Sequence, residues 1–584
     1  MQLGQLSLAM IATIVVLSGC APAPPGSSTS GLSSDPSAPA SAETPRGDRT
    51  LILAMRVEPV SLTPRPLMAT GIKFKVGARL FTAGLDMNDD RGLAQPYLAE
   101  ALPQVDTDSW RVFPDGTMET RYRLKPNLVW HDGAPLAASD FVFAWKVYTT
   151  PDLTNATTPP AGFMSEVTAP DDRTLVIRWS RVYPGAGVLQ SSQGTPTDFP
   201  PLPRHVLGAP YEEGNWDAFS AHPFWTRAYI GLGPYKVDRW EPGAFVEGSA
   251  FDRHIGGRPR IERVQIRFLG DANTTLANLL SGTIHIAADD GVAFQQAAVA
   301  KSEWAKNNGG SIVVTTDIWR ATYTQFRRET VTPPALLDVR VRRALAHALD
   351  RKAVADTVYE GEGLVTDAPF GPNTDFYAAI DQSVAKYPYD LRRSEQLMNE
   401  AGYTKGTDGV YASQVAGRVS LDLRINQSAS YEKERALMAS LWREASFEIH
   451  ESQLSAVEAQ DGQARSSFPG LYTFSTGQGE SALRTLTTSQ IIRAETRFSG
   501  TNRGGWANAD YDRVVQALDT SLERGQRVQQ AAQLARIMSE QLPAISLYYD
   551  LSPIAFVSAL HGPGPVAPDT SGLVGWNVVD WELR

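Results

Sequence analysis

The chain has 584 residues, 42% hydrophobic and 20% charged, an ordinary globular composition and too long for one hydrophobic core at about 100–200 residues per domain. Its formal net charge of −10, with no basic cluster interleaved with aromatics, argues against a nucleic-acid partner. A single cysteine excludes an internal disulfide, and eight scattered histidines without ligand spacing leave no metal site and no cofactor to expect.

At the start of the chain, Leu6 to Leu17 is apolar apart from Ser7 and Thr13, well short of the ~20 residues a membrane-spanning helix needs. Residues 1–19 therefore read as a signal peptide, although they hold no Lys or Arg. Cys20 is followed by Ala21, Pro22, Ala23, Pro24 and Pro25, which build no pocket for a nucleophile. Leu17-Ser18-Gly19-Cys20 instead resembles the lipobox of bacterial lipoproteins, in which the thiol carries a diacylglycerol. Two or more acyl chains anchor stably, at about 0.8 kcal/mol per buried methylene. Residues 20–47 then form a lipidated cysteine with a Pro/Ser/Ala-rich linker, too poor in large apolar groups to fold.

Further on, strand and helix signals alternate without a short repeat. "RTLILAMRVEP" (49–59) begins as a strand and "RTLVIRWS" (173–180) is another. "ERVQIRFLGDANTTLANLLSGTIHIAADD" predicts strand Val264–Leu269, a helix with Leu276, Leu279 and Leu280 inward, a stop at Gly282, and strand Ile284–Ala288. That β-α-β crossover marks an α/β domain. "DVRVRRALAHALDRKAVADTVYEGEG" (338–363) predicts one long helix from Asp338 to near Gly361. Arg340, Arg342 and Arg343 stand in its first turns, where the helix dipole disfavours cations, so acidic or carbonyl partners are expected across a domain contact. "SASYEKERALMASLWREASFEIHES" predicts a helix with Leu437, Leu441 and Trp442 on one face before a short strand.

Catalytic motifs are absent: there is no Gly-x-Ser-x-Gly elbow, no HExxH, no CxxC and no Gly-Lys-Ser/Thr phosphate loop. Gly477-Gln478-Gly479-Glu480-Ser481-Ala482 matches GxGxxA, but the following "RAETRFSGTNRGG" is not the second strand that dinucleotide binding requires. Such a turn presents backbone N–H groups suited to a ligand carboxylate.

Four stretches in order resemble one family, the extracellular solute-binding proteins of oligopeptide and dipeptide ABC importers, solute-binding family 5. They are "YRLKPNLVWHDGAPLAASDFVFAWKVY" (122–148), with His131-Asp132-Gly133 and the acidic cap Asp140; "GLGPYKVDRWEPG" (231–243); "DVRVRRALAHALDR"; and "YPYDLRRSEQLMNEAGY" (387–403). The resemblance runs from about residue 50 to the C-terminus.

It implies an α/β, two-lobed, periplasmic-binding-protein-like fold of class II type with an extra inserted domain. The implied boundaries are lobe I at 48–86, 225–322 and 546–584, the inserted domain at 87–224, and lobe II at 323–545. The lobes close by a hinge on a peptide held through its backbone, and the monomeric receptor delivers it to an ABC permease and its ATPase. A second-lobe carboxylate commonly holds the peptide amine. Here the corresponding "TFSTGQGESALRTL" offers only Glu480, beside Gln478, and that departure leaves open a nickel chelate, haem or an oligosaccharide as ligand. Tyr323, Phe326, Arg327, Trp319, Phe370 and Trp506 are the other pocket candidates, each weighed against core packing or a structural ion pair. An anchored hydrolase or folding factor is the alternative from a different class.

Overall fold

The computed structural model describes residues 50–63, 74–153, 159–189, 198–372, 376–415, 417–455, 457–564 and 574–584, all within one compact unit. The expected signal peptide, Cys20 and the linker lie outside the described residues.

Strand β1 (Thr50–Met55) is the apolar run expected at 49–59, with Leu51, Leu53, Ala54 and Met55 fully buried. After helix α1 (Lys75–Phe81) the chain leaves to build a separate antiparallel sheet. Its strands are β2 (Trp110–Val112), β3 (Met118–Arg123), β4 (Met164–Asp171) and β5 (Thr174–Trp179), in the order β2-β3-β5-β4, with α2 (Ala138–Tyr148) packed on β4 and β5. It returns through β6 (Tyr235–Glu241), β7 (Phe245–Ala250), β8 (Arg263–Phe268), α3 (Ala272–Leu280) and β9 (Ile286–Ala287). β8 and β9 flank β1, both parallel to it, so the expected crossover is present. Asp271 caps α3 by accepting the Thr274 N–H at 2.7 Å. Leu279 is buried but Leu280 is exposed; Thr275 completes the inward face instead.

Helix α4 (Phe294–Trp304) leads to β10 (Gly310–Thr324). The second half continues through α5 (Val339–His347), α6 (Arg351–Tyr359), α7 (Leu391–Glu400), β11 (Ser420–Asn426), α8 (Ala429–Glu444), β12 (Glu448–Leu454), β13 (Leu471–Gly477), α9 (Glu480–Arg484), α10 (Ala509–Thr520), α11 (Arg524–Gln541) and β14 (Ala544–Val557). Among the described residues the main sheet runs β12-β11-β13-β10-β14-β9-β1-β8-β7-β6. β10 and β14 pass through both halves: Gly310–Thr315 pairs with Ser552–Val557 beside β9, and Ile318–Tyr323 with Asp550–Ala544 beside β13, across a register shift. One apolar core fills the first half; two flank the sheet in the second, around Leu345 and Trp442 on one face and Trp319 and Tyr511 on the other.

Two of the sequence motifs meet in space. His131 Nδ1 accepts the Gly231 N–H at 3.1 Å and its Nε2–H donates to the Gly233 carbonyl at 2.9 Å, which selects the neutral Nε2–H tautomer. The two glycines are required by close approach to α1, since a Cβ on Gly231 would stand 2.1 Å from the Phe81 carbonyl oxygen and one on Gly233 2.4 Å from its carbonyl carbon.

The helix expected over 338–363 is broken. Asp350 accepts the Ala353 N–H at 3.0 Å and starts α6 as a separate helix. The arginines of α5 find carbonyls, as expected: Arg342 Nε donates to Gln541 O at 2.9 Å and Arg343 Nη2 to Glu540 O at 3.0 Å. These oxygens end α11, so cations misplaced on their own helix complete the C-terminus of another. The contact joins two helix layers of the second half, not two domains as expected.

Candidate functional site

Among the described residues, two cavities lie between the halves. The larger, about 750 Å³, is walled by Trp110, Phe163 and Tyr183 from the inserted sheet and by Glu480, Arg484 and Arg527 from the second half. Rings and charged groups mix in its lining, with Arg181 stacked on the Phe163 ring, a common composition for a ligand cleft. The smaller, about 450 Å³, gathers Arg56 after β1, Phe294 at the start of α4, Tyr359, Tyr431 on α8, Ser475 on β13 and Asp550 on β14. It lies beyond the carboxyl ends of β1, β8 and β11, where open α/β sheets bind ligands.

Beneath the smaller cavity lies a buried ion pair. Arg320 Nε donates to Glu434 Oε1 at 2.8 Å and Nη2 to Oε2, the Tyr548 hydroxyl donates to Oε1 at 2.7 Å, and the guanidinium stacks on Tyr431 at 3.4 Å from the ring centroid. Burial pulls the Arg320 pKa down, but the Glu434 carboxylate outweighs it and holds the guanidinium well above its ordinary value. Burial and then Glu434 push the Tyr548 phenol upward.

The expected site residues divide. Glu480 opens α9 and lines the larger cavity, and its carboxylate, the one a ligand amine was expected to meet, accepts from Arg527 and, at 3.5 Å, from Arg484. Gln478 donates to the Thr316 carbonyl, and the Gly479 N–H to the Pro369 carbonyl at 2.7 Å; the turn thus spends that donor internally. Trp319, Tyr323, Phe370 and Trp506 are buried in the core under α9–α11, and Phe326 packs on its edge. They line neither cavity; Tyr323 stacks on Phe474 at 4.0 Å instead. Arg327 donates to the carbonyls of Ser466 at 3.2 Å and Ile492 at 2.9 Å, fixing loops by main-chain contacts.

Sequence reading missed Arg320, Glu434, Tyr431 and Asp550. It also missed Arg503, whose guanidinium lies 3.7 Å from the Phe474 ring centroid and whose Nη1 has no hydrogen-bond partner. Among the described residues no cluster of His, Cys, Asp and Glu suits a metal, and no helix is long and apolar enough to cross a membrane.

A continuous sheet joined by two long strands, with a cleft between halves lined by charge and rings, defines the class of two-lobed solute-binding proteins. The model for "bacterial extracellular solute-binding proteins, family 5 Middle" matches residues 100–491, and the chain belongs to that family, a substrate-binding class. It is 24% identical over 494 residues to the oligopeptide-binding protein AppA of Bacillus subtilis, covering 82% of each chain. Against Brucella relatives described as ABC transporter peptide-binding proteins, identity is 27% over 302 residues, and the chain spans about half the length of these curated relatives. The oligopeptide-binding protein of Thermus thermophilus, solved with a pentapeptide, superimposes with a TM-score of 0.68 at 20% identity over 92% of this chain and 96% of that one. NikA of Brucella suis, solved with Fe(III)-EDTA, gives 0.72 at 14% identity over 92% and 100%.

Proposed function

We propose that the chain is an extracytoplasmic receptor that captures peptides between its lobes and hands them to an ABC permease, with no chemistry of its own. The observation that carries this is the 750 Å³ cleft, lined by the rings of Trp110, Phe163 and Tyr183 together with the charged side chains of Arg181, Glu480, Arg484 and Arg527. The names of the relatives support the cargo class. In this reading residues 48–86, 225–322 and 546–584 form lobe I, 87–224 the inserted domain and 323–545 lobe II, acting as a monomer. β10 and β14 are the hinge, and ligand shifts the population toward the closed form.

Native mass spectrometry of the purified protein is expected to show bound masses that acid releases as peptides, and small-angle scattering a smaller radius of gyration when loaded. A co-purified sugar or metal chelate in place of peptide, or an unchanged radius with saturating peptide, would overturn the reading.

Cys20 carries the lipid in this proposal, and residues 21–47 are the leash to the membrane's outer face. Cys20→Ser is expected to release the protein from the membrane fraction with its thermal midpoint unchanged. Retention of the variant after a high-salt wash would refute the anchor.

A further inference from the structure

Asp550 is the one acid in the strand sequence "AISLYYDLSPIAFV", and at 9% exposure it is nearly buried while lining the smaller cavity. Its partners are all hydroxyls: Tyr359 donates to Oδ1 at 2.7 Å, and Ser475 and, at 3.5 Å, Tyr431 donate to Oδ2. No Lys or Arg among the described residues forms an ion pair with it. The buried cation on the neighbouring strand, Arg320, is matched by Glu434 through two hydrogen bonds and reaches Asp550 only through the Ser475 hydroxyl, which accepts from Nη1 at 3.1 Å. The carboxylate is thus hydrogen-bonded but has no cation in direct contact, and an ion removed from water without a directly paired counter-charge is costly.

Around it the cavity is built for a cation. Phe294, Tyr359 and Tyr431 line the same space, and Phe294 and Tyr359 meet edge to face with centroids 5.0 Å apart. Aromatic faces beside a carboxylate attract ammonium and guanidinium groups and repel anions. Arg56, an exposed side chain, and Asp290 line the same space.

We infer that Asp550 receives a cationic group of the cargo, either the terminal ammonium of a peptide or a basic side chain, inside the smaller cavity. This rests on the reading of the chain as a peptide receptor. It moves the amine-reading role from Glu480, which Arg527 already occupies, to a carboxylate that has no cation of its own. Closure would remove the cargo's charge from water, and Asp550 would supply the compensation.

The test uses the full chain and three mixed-sequence pentapeptide libraries followed by tryptophan fluorescence. One has free amino termini and no basic residue, one is N-acetylated with no basic residue, and one is N-acetylated with a single Lys or Arg. The parent is expected to bind the first or the third at least tenfold more tightly than the second, and which one wins identifies the source of the cation. Asp550→Asn is expected to lose that margin and Asp550→Glu to keep most of it. The margin is a ratio within each variant, so a partly unfolded sample does not alter it, and the parent's own preference remains decisive if Asp550→Asn does not fold. Equal binding of all three libraries by the parent, or a margin kept in Asp550→Asn, overturns the inference and leaves peptide capture standing. Failure of every library to bind overturns both.

Discussion

Glu434→Gln is expected to destabilise the protein by about 3–5 kcal/mol, the range for removing one partner of a buried ion pair. The Arg320 and Glu434 side chains are 2% and 0% exposed, so solvent cannot screen what is left. The variant would leave a guanidinium stacked on Tyr431 with no anion, and it would replace the acceptor of the Tyr548 hydroxyl with a weaker one. Urea denaturation at neutral pH reads the change as a lower midpoint with an unchanged slope. Replacing both partners together, Arg320→Met with Glu434→Leu, is expected to recover part of the loss, because the buried charge disappears with its partner. A loss below about 1 kcal/mol for the single variant would mean that water reaches the pair and that this part of the cleft floor is open.

The same pair illustrates what could be read in advance. In α8, Glu434 stands on one stripe with Met438 and Trp442, and an acid on a buried stripe signals a partner in the core. In β10 the residues alternate: Trp319, Ala321 and Tyr323 enter the core under α9–α11, while Arg320 turns to the opposite face and meets α8. Position at the implied crossover into the second lobe marked the aromatics as pocket candidates, but only the side of the strand decides between pocket and core, and that side depends on which helices cover each face. Local chemistry was more legible. The stop expected at Gly282 falls on a left-handed residue, while Asp271 at the other end of α3 and Asp390, which caps α7 at the Arg393 N–H at 3.0 Å within the Tyr-Pro-Tyr-Asp motif, carry capping signals of the same local kind. Asp350 carried the same capping signal, and continuous helical periodicity masked it. Glu480 lines the larger cavity, and its pairing with Arg527, 47 residues further along the chain, is a long-range contact that no local pattern announces.

Acidification from pH 6.5 to 4 is expected to lower stability by up to about 3 kcal/mol through His131, since one pKa unit corresponds to about 1.4 kcal/mol. Burial first, with the nearby Lys236 adding to it, brings the imidazole down from 6.5 to about 4 in the folded chain. Between these values the unfolded chain binds the proton and the folded chain does not, so the contribution is complete above pH 6.5 and declines as the pH falls toward 4. The geometry agrees, because Nδ1 is committed as an acceptor from Gly231 N–H and a second ring proton would face that donor. His254, held down to about 3 by burial and then by Arg79, extends the decline to lower pH. His131→Gln offers one donor and one acceptor to the same glycines and does not titrate. Unfolding free energies measured at intervals from pH 7 to 4 should therefore fall less steeply in this variant than in the parent, and coincident slopes would show that His131 is protonated in the folded chain.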